Sequence, residues 1–466
     1  MKTLITTITL LGFSGVLLAE DWPTFQHDNR RSSVTEEALT LPLSEVWSYE
    51  SPAPPQTAWT APAKWDAFSG NDGLQSMRNF DPCFYVTTVG DQLYFGSSVD
   101  NAAHCLEAKT GKRRWLYHTD SAVRMPPSID GGRVYFGSDD GQAYAVDADT
   151  GNLLWTHSPQ PKARRIPNNG KLISPWPVRT GVMVDSGVAY YGASLLPWRP
   201  SYVCAVDAVS GKGAGAGHYV AIDESVTLQG ALLASKDSLY VPQGRSTPLR
   251  YQRGTGSRVS AVEGMGGVYC ILTEDEQLVG GPANQKSKED VTGVKDPQTN
   301  EAIVSFNGSN RVLIDGAMAY LHQGQHLQAV DRKQLGEIQR QQAAIRDRME
   351  NRKKQLDNLK KAGGIQDVVE FKAAQKLDAD AVKGLAAEIP GCTLWRVTQA
   401  VPLGFMLADE SLIVGLDGEV AAFAAASGEL LWKAPVKGKA YGLAYANGRL
   451  FVSTDRGGIH AFAKVP

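Results

Sequence analysis

Apolar and polar positions alternate with a period of two along most of this chain, in short runs such as "QLYFGS" (92–97), "RVYFGS" (133–138), "SLYVPQ" (238–243) and "RLFVST" (449–454). Alternation of that length, bounded by turn-forming residues, predicts half-buried β-strands. The stretch "SDDGQAYAVDADTGNLLW" (138–155) shows how one strand turns into the next. Ala143, Ala145 and Asp147 alternate with Tyr144 and Val146, and Leu153-Leu154-Trp155 begins the return. At the turn, Asp147 can accept backbone N–H bonds, Thr150 adds a hydroxyl, and Gly151 reaches positive φ without a Cβ penalty. Trp155 is a large flat side chain suited to the gap between stacked sheets.

The same offsets recur. Glu107-x-x-Thr110-Gly111 with Trp115 precedes this copy, and Asp207-x-x-Ser210-Gly211, Gln252-x-x-Thr255-Gly256, Asp296-x-x-Thr299-Asn300 and Ala424-x-x-Ser427-Gly428 with Trp432 follow it. Asn300 stands for Gly as the other residue that tolerates the left-handed region. With a degenerate copy at Asp331 in "LQAVDRKQL", seven corners are visible. A period of roughly 40–45 residues with four short strands per unit predicts a β-propeller. An eighth blade is implied at the seam, because "YGLAYANGRLFVSTDRGGIHAFA" (441–463) supplies three strands and "SEVWSYE" (44–50) is an orphan strand with Trp47 placed as in "LLW". Pairing the two removes an open sheet edge. The expected fold is all-β: an eight-bladed β-propeller, residues 20–466, closed by an N-terminal strand.

One segment breaks the pattern. From Leu335 to Ile389 the chain is charged and helix-forming, with Gly363-Gly364 as a break. Ile338, Ile345 and Leu359 share one heptad position and Leu335, Met349 and Leu356 the other, which predicts a coiled-coil-like helical hairpin over 336–390. It begins after Asp331 and ends at "CTLWRV" (392–397), so it is inserted between the third and fourth strands of blade six. Its "RKK" (352–354) reads as a solvated helix face.

Composition narrows the function. A formal net charge of −2 gives no general attraction to nucleic acid or to a membrane surface. The start "MKTLITTITLLGFSGVLLAEDW" has Lys2, an apolar run from Leu4 to Leu18 and small Ala19, the pattern of a signal peptide over 1–19. The apolar run is shorter than the ~20 residues of a spanning helix. Periplasmic or secreted localisation is expected. Cys83, Cys105, Cys204, Cys270 and Cys392 are scattered in strand-like contexts without C-x-x-C spacing, and read as small core residues. No H-E-x-x-H or G-x-S-x-G motif occurs, and His27, His104 and His118 read as structural.

The repeat "AYAVDADTGNLLW" resembles the pyrroloquinoline-quinone-like (PQQ-like) repeat, shared by quinoprotein dehydrogenases and by non-catalytic propellers such as the outer-membrane assembly lipoprotein. The likeness covers about residues 22–466 apart from the helical insert. "DWPTFQHDNRRSSVT" (21–35), "PAKWDAF" (62–68), "MRNFDP" (77–82), "RRIPNNGKLISPWPVRTG" (164–181) and "YVPQGRSTP" (240–248) are similar to a subgroup of secreted bacterial propellers of this kind. Quinoprotein alcohol dehydrogenases of this shape hold the quinone with a vicinal Cys-Cys disulfide and a calcium site near a catalytic Asp. This sequence has neither adjacent cysteines nor a haem motif, so no cofactor or metal is expected and no catalytic residue is assigned. PQQ with calcium belongs to the alternative, a quinoprotein-like oxidoreductase.

What remains is a binding module. In a propeller the loops between blades, and those between second and third strands, open on one face. Residues 62–82, 124–127, 164–179 and 244–248 fall in such loops. Lys64, Trp65, Arg78, Arg124, Arg165, Lys171, Trp176, Arg179 and Arg245 then form the expected ligand-binding rim, where forked guanidiniums beside flat aromatics suit carboxylates, sulfates or sugar rings. The expected partners are an anionic small molecule, an acidic glycan or another exported protein. The other reading of the same arginines is that they tie down long loops by pairing with Asp66, Asp81 and backbone carbonyls.

Overall fold

The period-two alternation resolves into antiparallel meanders in a computed structural model that describes residues 19–59, 80–160, 164–244, 246–282, 291–309, 311–361 and 367–465. Val86–Val89, Gln92–Ser97, Ala102–Glu107 and Arg113–His118 pair in chain order as the first sheet. The same order repeats from Ser128–Asp130 to Leu153–His157, from Met183–Asp185 to Tyr219–Asp223, from Leu233–Ala234 to Arg258–Ala261, and from Met265–Leu272 to Ala302–Asn307. A sixth sheet runs from Val312–Asp315 to Thr393–Thr398. The seventh begins at Gly404–Ala408 and shares the long strand Leu430–Ala446 with the last set, Arg449–Thr454 and Gly458–Ala463. Ser44–Glu50 hydrogen-bonds Gly458–Ala463 antiparallel, with Ser44 opposite Ala463. The second strands are buried along their length, whereas fourth strands such as Leu153–His157 expose Leu153 and Leu154 and bury Trp155.

The corner is built as its residues dictate, and it also acts between sheets. Asp147 Oδ1 accepts from Thr150 N at 2.9 Å and Thr150 Oγ1 at 2.7 Å, and Gly151 sits at φ 70°. Trp115, from the preceding sheet, lies under that glycine and donates from Nε1 to Ala148 O at 2.8 Å. Trp155 repeats this with Ala208 O and Gly211, and Trp395 with Ala425 O and Gly428. In the third sheet Tyr219 replaces the Trp, donating from its hydroxyl to Arg253 O beside Gly256. Each of these repeats is thereby fastened to the next by one aromatic side chain, whereas between the fourth and fifth sheets Asn300 Nδ2 donates to Ala261 O instead.

Residues 20–37 form a strap across the first strands of the sheets. Trp22 exchanges both backbone bonds with Thr88; Pro23 O accepts from Ile129 N, Asn29 O from Ala234 N, Arg30 O from Leu272 N, and Ser33 O from Leu407 N. Asn29 Nδ2 reaches Val184 O, and Val34–Thr35 pairs parallel to Gly404–Ala408. Buried Arg31 holds the bend, donating to Leu232 O, Thr24 Oγ1, Phe25 O and Asp28 O. These bonds offset the positive φ of Gln26, His27, Arg31 and Ser33.

The helical hairpin consists of α1 (Arg332–Lys361) and α2 (Asp367–Glu388), followed by a 3-10 turn, Ile389–Cys392. Asp331 Oδ1 accepts from Lys333 N and Gln334 N and so caps α1. The helix starts four residues before the expected boundary because Arg332 is already anchored, to Gly316 O, Gln277 Oε1 and Asp275. Leu335 and Ile338 pack with Val304, Val312 and Val330, and Gln339 makes two 2.8 Å bonds to the backbone of Ser305. The foot of the expected self-contained seam therefore belongs to the sheet core. Further out, Arg348 and Arg352 hold Asp378 across the pair. The expected Gly363-Gly364 break and residues 1–18 of the leader lie outside the described residues. All five cysteines are buried and unpaired. No helix among the described residues is long and apolar enough to cross a membrane.

Candidate functional site

Arg124 and Arg179, brought from the first and second inter-sheet connections, meet on one carboxylate, Asp139. Arg124 Nε lies 2.7 Å from Asp139 Oδ2, and Arg179 bonds both oxygens at 2.9 and 3.1 Å. Arg124 also donates 2.6 Å bonds to Asp81 Oδ2 and Gln56 O. All four charged groups are buried, Arg179 completely. Burial opposes ionisation of Asp139, yet Arg124 and Arg179 together outweigh it and hold the carboxyl below its ordinary range. For Asp81 burial wins, and its pKa is raised despite Arg124. Burial likewise disfavours the Arg124 cation, but the two aspartates reverse the effect and raise its pKa.

Lys171 joins this group from the strand Lys171–Ile173 of a small hairpin inside the second connection. Its Nζ donates to Asn101 Oδ1 at 2.5 Å, and burial, then Arg124, lower its pKa. Asp139 and Asp100 act on Lys171 in the opposite sense, so the three cations stand among three carboxylates, Asp81, Asp100 and Asp139. Arg179 Nη1 is buried and makes no hydrogen bond among the described residues. The guanidinium lies 5.3 Å over the ring of Trp59, whose Nε1 donates to Gln229 Oε1 at 2.7 Å. A buried guanidinium nitrogen without a partner among the described residues, beside an aromatic face, keeps an unused capacity to donate to an anionic or carbonyl oxygen.

The remaining expected rim residues are distributed differently. Arg165 sits at the margin, bonded to Asp120 Oδ2 at 2.8 Å and to Asp140 O. Trp176 does not line the rim: it is buried with Val178 and Tyr202 and donates to Pro200 O. Lys64, Trp65, Arg78 and Arg245, with the alternative partner Asp66, lie outside the described residues. The sequence reading missed Asp139, the hub, although a signal existed: "FGSDDG" (136–141) places Asp139 where the first repeat, "FGSSVD" (95–100), has Ser98. Trp59, Gln229 and Asn168, 3.4 Å from Arg179 Nη2, gave no such signal.

Other spaces flank the strap. Between Tyr85, Tyr269, Arg311 and Tyr441 a cavity of about 30 Å³ lies above the strap. Burial pushes the Cys83 thiol and the Tyr85 hydroxyl well up, so neither is primed as an anion. At the opposite ends of the strands, a cavity of about 640 Å³ opens between the strap and the foot of α1, where Glu274, Asp275, Asp315, Asp409, Arg30 and Arg332 face one another. It flanks Val312–Asp315, a first strand for which the strap provides no bond.

Comparison with known proteins gives one family over most of the chain: the model for outer membrane protein assembly factor BamB, a PQQ-like repeat family, matches residues 44–342 and 388–465. A curated relative, the dehydrogenase subunit of a quinone alcohol dehydrogenase from Gluconobacter oxydans (strain 621H), is 30% identical over 121 residues, which is 23% of this chain and 15% of that protein. The fold is similar to quinohemoprotein alcohol dehydrogenases from Comamonas testosteroni (TM-score 0.58, 13% identity, 96% of this chain and 81% of that one) and from Pseudomonas putida HK5 (TM-score 0.57, 12% identity, 96% and 82%). At that identity the likeness is of β-propeller fold alone. Among the described residues no three His, Cys, Asp or Glu side chains converge as metal ligands.

Proposed function

The chain belongs to the PQQ-like repeat family of the outer membrane assembly factor BamB, and from that premise we propose that it is an exported β-propeller of eight blades that works as a binding or scaffolding module, without catalysis. Residues 44–50 close the ring in this reading, supported by their pairing with Gly458–Ala463. The ligand is anionic, either a small molecule, an acidic glycan or an acidic patch of an exported partner. The observation that carries the reading is Arg179: fully buried, neutralised by Asp139 through two of its nitrogens and unbonded at the third. Asp139 and Asp81 fix the fork in place before any ligand arrives, and such preorganisation lowers the entropy lost on binding.

The test measures two quantities on the same proteins. Uronic-acid and sulfated oligosaccharides and tricarboxylates are titrated against the protein and its Arg179→Lys and Lys171→Ala variants, with melting temperature followed in parallel. Arg179→Lys keeps a charge but loses the fork, and is expected to weaken anion binding roughly tenfold, about 1.4 kcal/mol. Unchanged affinity in the folded fraction, with only a lowered melting temperature, assigns Arg179 to loop support and removes the site.

A second reading, PQQ-dependent oxidation, is favoured by the match to the quinone alcohol dehydrogenase subunit. It requires the quinone and calcium as added components. Reconstitution with both, followed by dye reduction in the presence of primary alcohols, separates it from the binding reading.

A further inference from the structure

Glu37 is a buried carboxylate, 5% exposed, at the end of the strap. It accepts from three backbone nitrogens: Asn447 at 2.9 Å, Gly448 at 2.5 Å and Glu20 at 2.8 Å. Among the described residues no Lys, Arg or His pairs with it. A buried carboxylate ordinarily has a cation, because neutral donors alone repay little of the hydration it gives up. The third donor is the nitrogen at which the leader-like segment ends. Glu20 is also fastened by its side chain, which accepts from Thr35 Oγ1 at 2.5 Å and Glu36 N at 3.1 Å and lies 3.1 Å from His27 Nε2. Ala19, one residue earlier, is exposed.

We propose that Glu37 is the receptor for a new N-terminus: cleavage between Ala19 and Glu20 converts the Glu20 nitrogen into the ammonium that this carboxylate lacks. The inference rests on the export reading, with a protease of the leader-peptidase class as the agent. Water supplies the hydroxyl that adds to the Ala19 carbonyl carbon, the C–N bond breaks, and the Glu20 nitrogen takes the remaining proton and one more from solvent. An amide with one hydrogen becomes an ammonium with three, at the same place. Because Glu37 also holds Asn447 and Gly448, in the turn between Leu430–Ala446 and Arg449–Thr454, processing would lock the strap to the last set of strands.

The pairing has a pH signature. A free α-amino group titrates near about 8, and a buried carboxylate partner raises that value in the folded state. A group raised in this way stabilises fully below its unfolded value, and the contribution is lost as pH climbs through the folded one. The other titratable and charged groups around the site are Glu20, Asp21, His27 and Glu36 on the strap, and Tyr445 and Arg449 on the strands it meets.

The test uses the exported protein and two purified forms, one starting at Glu20 and one at Ala19. The Ala19 form keeps the Glu20 N–H bond but moves the positive charge one residue away. N-terminal sequencing of exported protein is expected to read Glu-Asp-Trp. At pH 7 the Glu20 form is expected to melt about 2–4 °C above the Ala19 form, with the gap closing above pH 9 and absent when both carry Glu37→Gln. An exported chain that retains Met1 removes the export reading and the inference together. A start at Glu20 with equal melting of the two forms overturns the inference alone, and so does a gap that persists in the Glu37→Gln pair.

Discussion

Trp47 donates from Nε1 to the carbonyl oxygen of Ala108 at 3.0 Å, and its ring lies under Gly111. Trp115 stands in the same relation to Ala148 and Gly151, and Trp155 to Ala208 and Gly211. The contact that joins the first sheet to the second thus also joins the strand Ser44–Glu50, paired to the end of the chain, back to the first sheet. Trp432 completes the passage by donating to Leu43 O. The aromatic of one repeat supplies shape and a single N–H, and the corner of the next supplies a carbonyl and a glycine without a Cβ.

Removing the space under that aromatic has a measurable effect. A Cβ at Gly151 would stand 2.7 Å from the Trp115 ring, whereas one at Gly132, also at positive φ, meets nothing within 4 Å. Gly132→Ala is expected to cost about 1 kcal/mol for the backbone alone. Gly151→Ala should cost about 1–3 kcal/mol more, since overpacking adds to it. Urea midpoints of the two variants give the difference directly.

Trp47→Ala tests the seam. The side chain is half-buried, so the expected loss lies at the lower end of the about 3–5 kcal/mol seen for core Trp→Ala changes. Hydrogen exchange should rise first in Gly458–Ala463 and Ser44–Glu50, which lose their lateral support. Protection that changes elsewhere and not in these two strands would separate Trp47 from closure.

Asp139 and Asp81 share Arg124 but respond oppositely to loss of charge. Asp139→Asn leaves two buried guanidiniums short of a partner and is expected to cost about 3–5 kcal/mol. Its pKa is lowered from the ordinary 3.8, so the stabilisation is complete above that value and disappears as pH falls below it. Asp81 is raised from 3.8 by burial, so its ionised form burdens the fold once pH passes that value. Asp81→Asn removes that burden but also one of the two partners of buried Arg124, and should therefore cost less than Asp139→Asn at pH 7. Unfolding curves at pH 3 and pH 7 on both variants check the signs.

The helical hairpin divides into a foot and a shaft. Replacing 336–390 by an Asn-Gly turn removes Ile338 and Gln339 and exposes the edge of Ala302–Asn307, so a clear drop in melting temperature is expected. Removing only the distal part, 346–376, spares those contacts and should leave the melting temperature within about 2 °C of the parent. Equal behaviour of the two deletions would show that the foot contributes nothing.

The repeat was legible because its corner is local: Asp147, Thr150 and Gly151 satisfy one another within five residues. The contact between sheets was only half legible. Trp115 announces a large space-filling group, but its acceptor is a backbone carbonyl that any residue could present. The strap was invisible as structure, since positive φ at Gln26, His27 and Arg31 gives no periodicity and its partners are again backbone groups. At the site, Arg124 and Arg179 stand out in the sequence by their charge, but what unites them is Asp139, 40 residues away from Arg179 in the chain. Trp176 misled the reading because "SPWPVR" looks like a loop, and its two prolines say nothing about burial.

The pairing of Ser44–Glu50 with Gly458–Ala463 also sets an order of events. The two strands are far apart in the chain, Glu45 and His460 being 415 positions apart, so no arrangement of the earlier sheets can bring them together before the later strand is made. Until Gly458–Ala463 emerges, Ser44–Glu50 has no partner on that edge, and the entropy of joining such distant segments must be met late and all at once. A chain stalled short of Gly458 would keep an exposed edge at each end of an otherwise folded array. Such intermediates join other copies of themselves readily, which makes the interval before Gly458–Ala463 is in place the one in which this fold is most exposed to aggregation.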